Sequence, residues 1–389
     1  MPTLNERGAL LLTGATGFVG MEVLARYLER GDQRIYALVR AAGQEDADGR
    51  LRQTLAAATG SAEDWDDRVS AVPGDIEQPD LGLDPERRDE LAGEVSDVLH
   101  VAASVSFSLS IEQSRQINVE GTRRLLEFAE RCDELGGLRR FSYVSTAYVA
   151  GDHEGDFHEE QLDVGQGFRN PYERSKFEAE QLIDAWRERL PIQVFRPSII
   201  VGERDTGWTP AFNVLYTPLK AFSRGAFRAV PAEREAPVDV VPVDYVADAI
   251  FELASSDGAA LETYHLVAGS RATTVGRLVQ LSADYFSRRA PVLLPPRLYD
   301  RLVHPVLLRL TRGRRKRVLE RTEVFFPYFS MRVRYDDRRA RGRLEPAGIR
   351  VTPVESYFGR LADFAVGTHW GRAMVDRVQA RRDRTPVGS

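Results

Sequence analysis

Through its first two hundred positions the chain alternates short β-branched or Leu-rich runs with longer stretches in which apolar side chains recur every three or four residues. Uninterrupted apolar runs of this length suit strands covered on both faces, and the longer period suits helices packed against them. Strands are expected near Ala9 to Thr13, Arg34 to Val39, Val69 to Val72, Val98 to Val101, Arg140 to Val144 and Gln193 to Phe195. Helices fit Val19 to Glu29, Arg50 to Ala58, Glu112 to Glu134 and Tyr172 to Arg189, with Gly31 as the first C-cap and Pro191 as the last stop. Strand and helix in alternation, joined by right-handed crossovers, predict an α/β fold with a doubly wound parallel sheet of Rossmann type.

After Gly202 the alternation lapses. Residues 205–236 are rich in aromatics, Gly and Pro and read as a substrate-side insertion, whereas Val238 to Ala254 and Tyr264 to Val267 look like a return to the sheet. The expected organisation is a dinucleotide-binding domain over 1–204, rejoined by 237–270, and a mostly helical substrate-binding or lid region over 205–236 and 271–380. Residues 381–389 read as a disordered tail.

Composition narrows the function classes. The net charge of −5 argues against a nucleic-acid binder, which normally carries a basic domain. A lone cysteine, Cys132, cannot form an intrachain disulfide, and its place at i+7 from Leu125 on one helical face makes it a packed thiol. The six His show no ligand spacing with Cys or carboxylates, so no metal is expected. Without a signal-peptide pattern or an apolar run near the ~18 residues of a membrane span, the expectation is a soluble, cytoplasmic protein.

The candidate chemistry begins at Thr13-Gly14-Ala15-Thr16-Gly17-Phe18-Val19-Gly20, where a strand runs through a Gly-rich turn into a helix. Glycines there allow a tight turn and close approach of a pyrophosphate to the free N–H groups of the helix. Gly14, Thr16, Gly17, Phe18, Val19 and Gly20 are therefore the expected cofactor loop. Arg40 ends the second strand where an NAD enzyme usually carries an acidic residue, and a guanidinium there suits the 2′-phosphate of NADPH. Asp75 and Ile76 follow the third strand, where the carboxylate could reach the adenine amino group.

Tyr172 and Lys176 matter most because Lys is nearly absent. With 13 Tyr and 3 Lys in 389 residues, about 0.1 Tyr-x-x-x-Lys pairs are expected by chance (13 × 3/389). A spacing of four puts both side chains on one helical face. There an ammonium would lower the phenol's pKa and make it a usable acid or base.

As a set these stretches resemble the extended short-chain dehydrogenase/reductase family, in which the Tyr and Lys act with an upstream Ser or Thr. Aligning Gly151 with the family's terminal Gly puts Thr146 at that position, with Ser145 the alternative one residue earlier. Val72-Pro73-Gly74-Asp75-Ile76, His100-Val101-Ala102-Ala103, Asn118-Val119-Glu120-Gly121-Thr122 and Arg196-Pro197-Ser198 look like the thioester reductase and fatty acyl-CoA reductase branch. The resemblance implies Thr146, Tyr172 and Lys176 as catalytic residues, with Ala102, Lys176 and Pro197 also lining the cofactor. It implies hydride transfer from NADPH to an acyl thioester, carried on coenzyme A or a carrier protein, giving an aldehyde, with the sequence leaving open whether a second hydride takes it on to an alcohol. A sugar-nucleotide epimerase or dehydratase, or a hydroxysteroid-type dehydrogenase, is the alternative on the same fold. Arg40 disfavours NAD-retaining epimerases, and the aromatics Trp208, Phe212, Tyr216, Phe222 and Phe227 suit an apolar acyl chain better than a sugar.

One further segment stands apart. Residues 297–321 carry nine basic and two acidic residues beside an apolar stripe of Tyr299, Val303, Val306 and Leu310, interrupted by Pro305. Such a segment suits peripheral contact with an anionic membrane, the phosphates of coenzyme A or an acidic carrier, or equally a lid with solvated arginines.

Overall fold

Leu10, Leu11 and Leu12 run unbroken through the first strand because both of its faces are covered. Leu10 and Leu12 pack into one core cluster and Leu11 into a second on the other side of the sheet. The computed structural model describes residues 8–212, 214–226, 228–256, 262–303 and 325–382. Seven parallel strands form the main sheet: β1 (Ala9–Thr13), β2 (Ile35–Val39), β3 (Val69–Pro73), β4 (Val95–His100), β5 (Arg140–Val144), β6 (Ile192–Pro197) and β7 (Thr263–Leu266). Their order is 3-2-1-4-5-6-7, so the chain reverses direction between β1 and β4, where this topology opens a crevice for a dinucleotide.

Helices cover both faces. They include α1 (Phe18–Arg30), α2 (Gln44–Thr59), α3 (Gly121–Leu135), α4 (Pro171–Trp186) and α5 (Val243–Ser255). Tyr27, on α1, packs edge-on against Phe251 of α5 at 5.1 Å. Cys132 of α3 is fully buried, and burial pushes its thiol up to about 12, as suits a packing residue.

Three sequence expectations are corrected. The stretch read as one helix from Glu112 to Glu134 is a short helix, Ile111–Arg115, a π-helical turn over Gln116–Glu120, and then α3. Val238 to Ala254 rejoins only indirectly: Val240–Pro242 pairs with Ile199–Val201 outside the main sheet, and α5 follows at once. A helix over Pro85–Glu94 went unread, because only Leu91 and Ala92 of it are buried and its apolar period is faint. The Tyr264 to Val267 strand does return, as edge strand β7 beside β6.

Most of the basic segment lies outside the described residues, which resume at 325, as do residues 383–389 of the tail and Phe227. Among the described residues no helix is long and apolar enough to cross a membrane.

Candidate active site

Thr146 follows β5 and caps the short turn after it, its Oγ1 accepting the Tyr148 N–H at 3.2 Å. Tyr172 sits in the first turn of α4, where Asn170 as N-cap accepts the Glu173 N–H at 3.0 Å and Pro171 presets the backbone. These two frames bring the Tyr172 and Thr146 hydroxyls near enough for Thr146 to act on the phenol, lowering its pKa in part against burial. Ser145 faces the other way and donates to Glu180 Oε2 at 2.5 Å. Of the two sequence candidates, Thr146 is thus the one beside Tyr172.

Lys176 behaves differently from its sequence expectation. It is buried at 1% exposure, and its Nζ donates to Tyr143 Oη at 2.6 Å and to the Val144 carbonyl at 2.9 Å. The expected lowering of the Tyr172 pKa by Lys176 is not seen. Burial pushes Tyr172 up to about 12, against the nearby Thr146 hydroxyl and with the neighbouring Glu173 charge adding to the rise. Lys176 itself is lowered to about 7 by burial, which Glu180 offsets in part. At neutral pH Tyr172 is therefore a protonated donor.

The glycine loop has the geometry of an anion seat. Gly14 has φ +74°, and a Cβ on it would lie 2.7 Å from the Ala102 nitrogen, while one on Gly20 would collide with the Gly14 carbonyl oxygen. Gly17 caps α1 with extended backbone and no side-chain bond, next to exposed Thr16 and half-buried Phe18 and Val19. The first-turn N–H groups of α1 are thus left for a ligand, and the pyrophosphate of a dinucleotide fits there.

Around it, Ala102 N–H donates to Thr13 Oγ1 at 3.2 Å, and the Pro197 carbonyl accepts from Thr146 at 3.4 Å. Arg40 is 71% exposed and pairs with Glu77 at 3.3 Å. Asp75 spends one carboxylate oxygen on the Glu77 N–H at 3.0 Å, ordinary turn chemistry, and Ile76 packs against Gly121.

Two residues beyond Thr146, Tyr148 lines an apolar cavity with about 1080 Å³ of space, the open solvent at its mouth included. Tyr328 lines it too, and Phe107 packs against both Tyr328 and Tyr172 at 5.8 Å, joining cavity to site. Of the aromatics assigned to an acyl chain, Phe222 lines the cavity, whereas Trp208 packs on Phe18 of α1 and Phe212 stacks on Phe364.

Residues 12–250 match the model of the male sterility protein family. The chain belongs to that family. Within it, the chain is 34% identical over 247 residues to the isonitrile lipopeptide synthase of Streptomyces coeruleorubidus, covering 63% of this chain and 16% of that protein. This family member thus spans under a fifth of that relative's length. It is 25% identical over 349 residues to fatty acyl-CoA reductase 1 of Arabidopsis thaliana, covering 72% of this chain and 70% of the relative. The terminal R domain of the myxalamid PKS-NRPS biosynthetic pathway superposes with a TM-score of 0.80 at 27% identity, over 94% of this chain and 92% of that one. The branch expected from sequence is therefore the right one, and the cofactor of this male sterility family fold is a nicotinamide dinucleotide.

Sequence reasoning missed several residues around the site. Tyr143 and Glu180 carry no motif, and Asn118 was quoted only as part of one. Its side chain bonds Ser104 N–H at 2.8 Å, the Ser104 carbonyl at 3.1 Å and Ser175 Oγ at 2.9 Å. A buried Asn in a π-helical turn is a signal that only the backbone irregularity reveals.

Proposed function

We propose that the protein is an NADPH-dependent reductase of acyl thioesters, acting on a fatty acyl-CoA or an acyl-carrier protein. The observation that carries the reading is the placing of Tyr172 beside Thr146 and its connection, through Phe107 and Tyr328, to an apolar cavity. A sugar would leave its hydroxyls unpaired against such walls, whereas an acyl chain is stabilised by about 0.8 kcal/mol per buried methylene. Similarity to fatty acyl-CoA reductase 1 and to a terminal R domain supports the same chemistry.

The reduced nicotinamide supplies the hydride when bound. Thr146 and Tyr172 donate hydrogen bonds to the thioester oxygen, where negative charge builds up as its carbonyl carbon is reduced. Tyr172, protonated at neutral pH, can then pass its proton to that oxygen. Collapse of the hemithioacetal breaks the carbon–sulfur bond and releases the thiol and an aldehyde; repetition on the aldehyde gives the alcohol. Lys176, with two N–H groups on Tyr143 and the Val144 carbonyl, would hold the cofactor ribose with the remaining one. Arg40, with Arg50 bonded to its carbonyl, offers two guanidiniums near the end of β2 for a 2′-phosphate.

The test is NADPH consumption with long-chain acyl-CoA, with aldehyde and alcohol counted. Turnover of a sugar nucleotide or sterol and of no acyl thioester would overturn the assignment. Tyr172→Phe is expected to abolish reduction while NADPH binding stays within about twofold; an active variant removes Tyr172 as the acid. Arg40→Asp is expected to lower the preference for NADPH over NADH by at least about tenfold, the worth of one charged contact, and an unchanged preference would put the phosphate elsewhere.

A further inference from the structure

Lys176 is the origin of a buried polar chain that the reaction as described does not use. Its Nζ donates to Tyr143 Oη, and the Tyr143 ring packs at 5.5 Å against His100, with the Thr122 hydroxyl nearby lowering its pKa in part against burial. Thr122 Oγ1 lies 3.2 Å from His100 Nε2, and His100 Nδ1 lies 2.8 Å from Thr13 Oγ1. Thr13 Oγ1 accepts the N–H groups of Val101 and Ala102, both at 3.2 Å, one residue before Gly14.

One arrangement of protons satisfies every member. Thr13, already accepting two N–H groups, gives its hydrogen to His100 Nδ1. His100, held neutral because burial lowers it to about 3, then donates from Nε2 to Thr122. Thr122 passes its own hydrogen to the Asn118 carbonyl at 2.7 Å, which leaves its oxygen free to accept. Tyr143 accepts from Lys176, because an ammonium has donors and no acceptor.

We propose that Tyr143 is a positioning residue for Lys176, fixing its ammonium through the chain Tyr143–Thr122–His100–Thr13 to the root of the glycine-rich cofactor loop. The proposal rests on the reading above that Lys176 serves the reduction. An ammonium has three donors, and holding two of them, on Tyr143 and the Val144 carbonyl, sets the direction of the third. Both holding groups are neutral oxygens. Glu180, one turn further along α4, is taken up by Arg196 on β6 and by Ser145 just after β5, His100 on β4 is neutral, and Tyr172 keeps its proton. The charge of Lys176 therefore depends on the Tyr143 hydroxyl more than an exposed lysine's would on any single neighbour.

The sparsity of lysine makes this measurable without turnover. In the nucleotide-free protein, isotope-labelled lysine gives few amine signals by NMR, and Lys176→Met assigns the one of interest. Tyr143→Phe, which keeps the ring and removes the acceptor, is expected to lower the Lys176 midpoint by about one pH unit or more, as loss of a hydrogen bond to a charged group should. Thr122→Val should lower it by less, because it leaves Tyr143 a weaker acceptor. With an acyl thioester, Tyr143→Phe should cut kcat at least about tenfold with KM for the thioester unchanged. A midpoint unmoved in Tyr143→Phe overturns the proposal; if that variant does not fold, an unmoved midpoint in Thr122→Val does the same. Absence of thioester reduction in the wild type would instead remove the functional reading, and the amine titration would still decide the role of Tyr143.

Discussion

Ser145 and Thr146 are adjacent hydroxyls with opposite duties, because successive side chains leaving a strand point to opposite sides. Thr146 meets Tyr172, and Ser145 joins Glu180, which also takes two N–H groups of the buried Arg196. Thr146→Val is therefore expected to lower kcat by about 10²–10³, the usual loss for one donor to a developing oxyanion. Ser145→Ala should leave kcat within a few-fold and cost about 1–3 kcal/mol of stability, since it strips a buried carboxylate of one donor. Steady-state rates and urea midpoints on the two variants separate these outcomes; interchanged results would shift the catalytic register by one residue. That Thr146 rather than Ser145 faces Tyr172 was legible only through the alignment of Gly151 with the terminal Gly of the family the chain resembles. The protonation of Tyr172 and Lys176 was not. Spacing of four puts both on one helical face, but burial, and a Tyr143 that is 33 residues upstream of Lys176, decide where the charges go.

At the scale of elements, the strands were legible because burial on both faces leaves no polar position to blur them, as in Ile35–Val39, which is buried throughout. Helices that touch the core along a thin stripe were harder. In α2 the buried residues are Ala47, Leu51, Thr54, Leu55 and Ala58, so its polar first turn read as a loop. The π-helical turn over Gln116–Glu120 was invisible for another reason: one extra residue per turn leaves composition unchanged and shifts only which side chains face inward. It turns the buried Asn118 toward Ser104 and Ser175, tying the loop after β4 to the helix that carries Tyr172 and Lys176. Asn118→Leu, similar in volume but without the amide, is expected to destabilise the fold by about 3 kcal/mol through the polar partners it leaves unpaired. A chemical-denaturation midpoint reads this directly. A loss below about 0.5 kcal/mol would mean that the loop and α4 are held together by packing alone.

The cavity belongs to the whole molecule. Its walls come from Tyr148, Ile199, Val238, Leu278, Tyr328 and Phe358, spread over some two hundred residues, so no local period announces it. What the sequence did show was the loss of alternation after Gly202, and the insertion does contribute Phe222 and Val230, while Trp208 is used to cover α1. If the acyl chain lies in this space, narrowing its wall must discriminate by length. Val238→Phe adds bulk at a half-buried wall position. Excluding two or three methylenes forfeits about 2 kcal/mol of burial, which corresponds to roughly thirtyfold in rate. The ratio of kcat/KM for a long-chain over a short-chain acyl-CoA should fall by about that factor, carried by the long substrate while the short one is reduced as before. An equal fall for both lengths would mean that the substitution disturbs the hydroxyl pair, and an unchanged ratio would place the acyl chain outside the cavity.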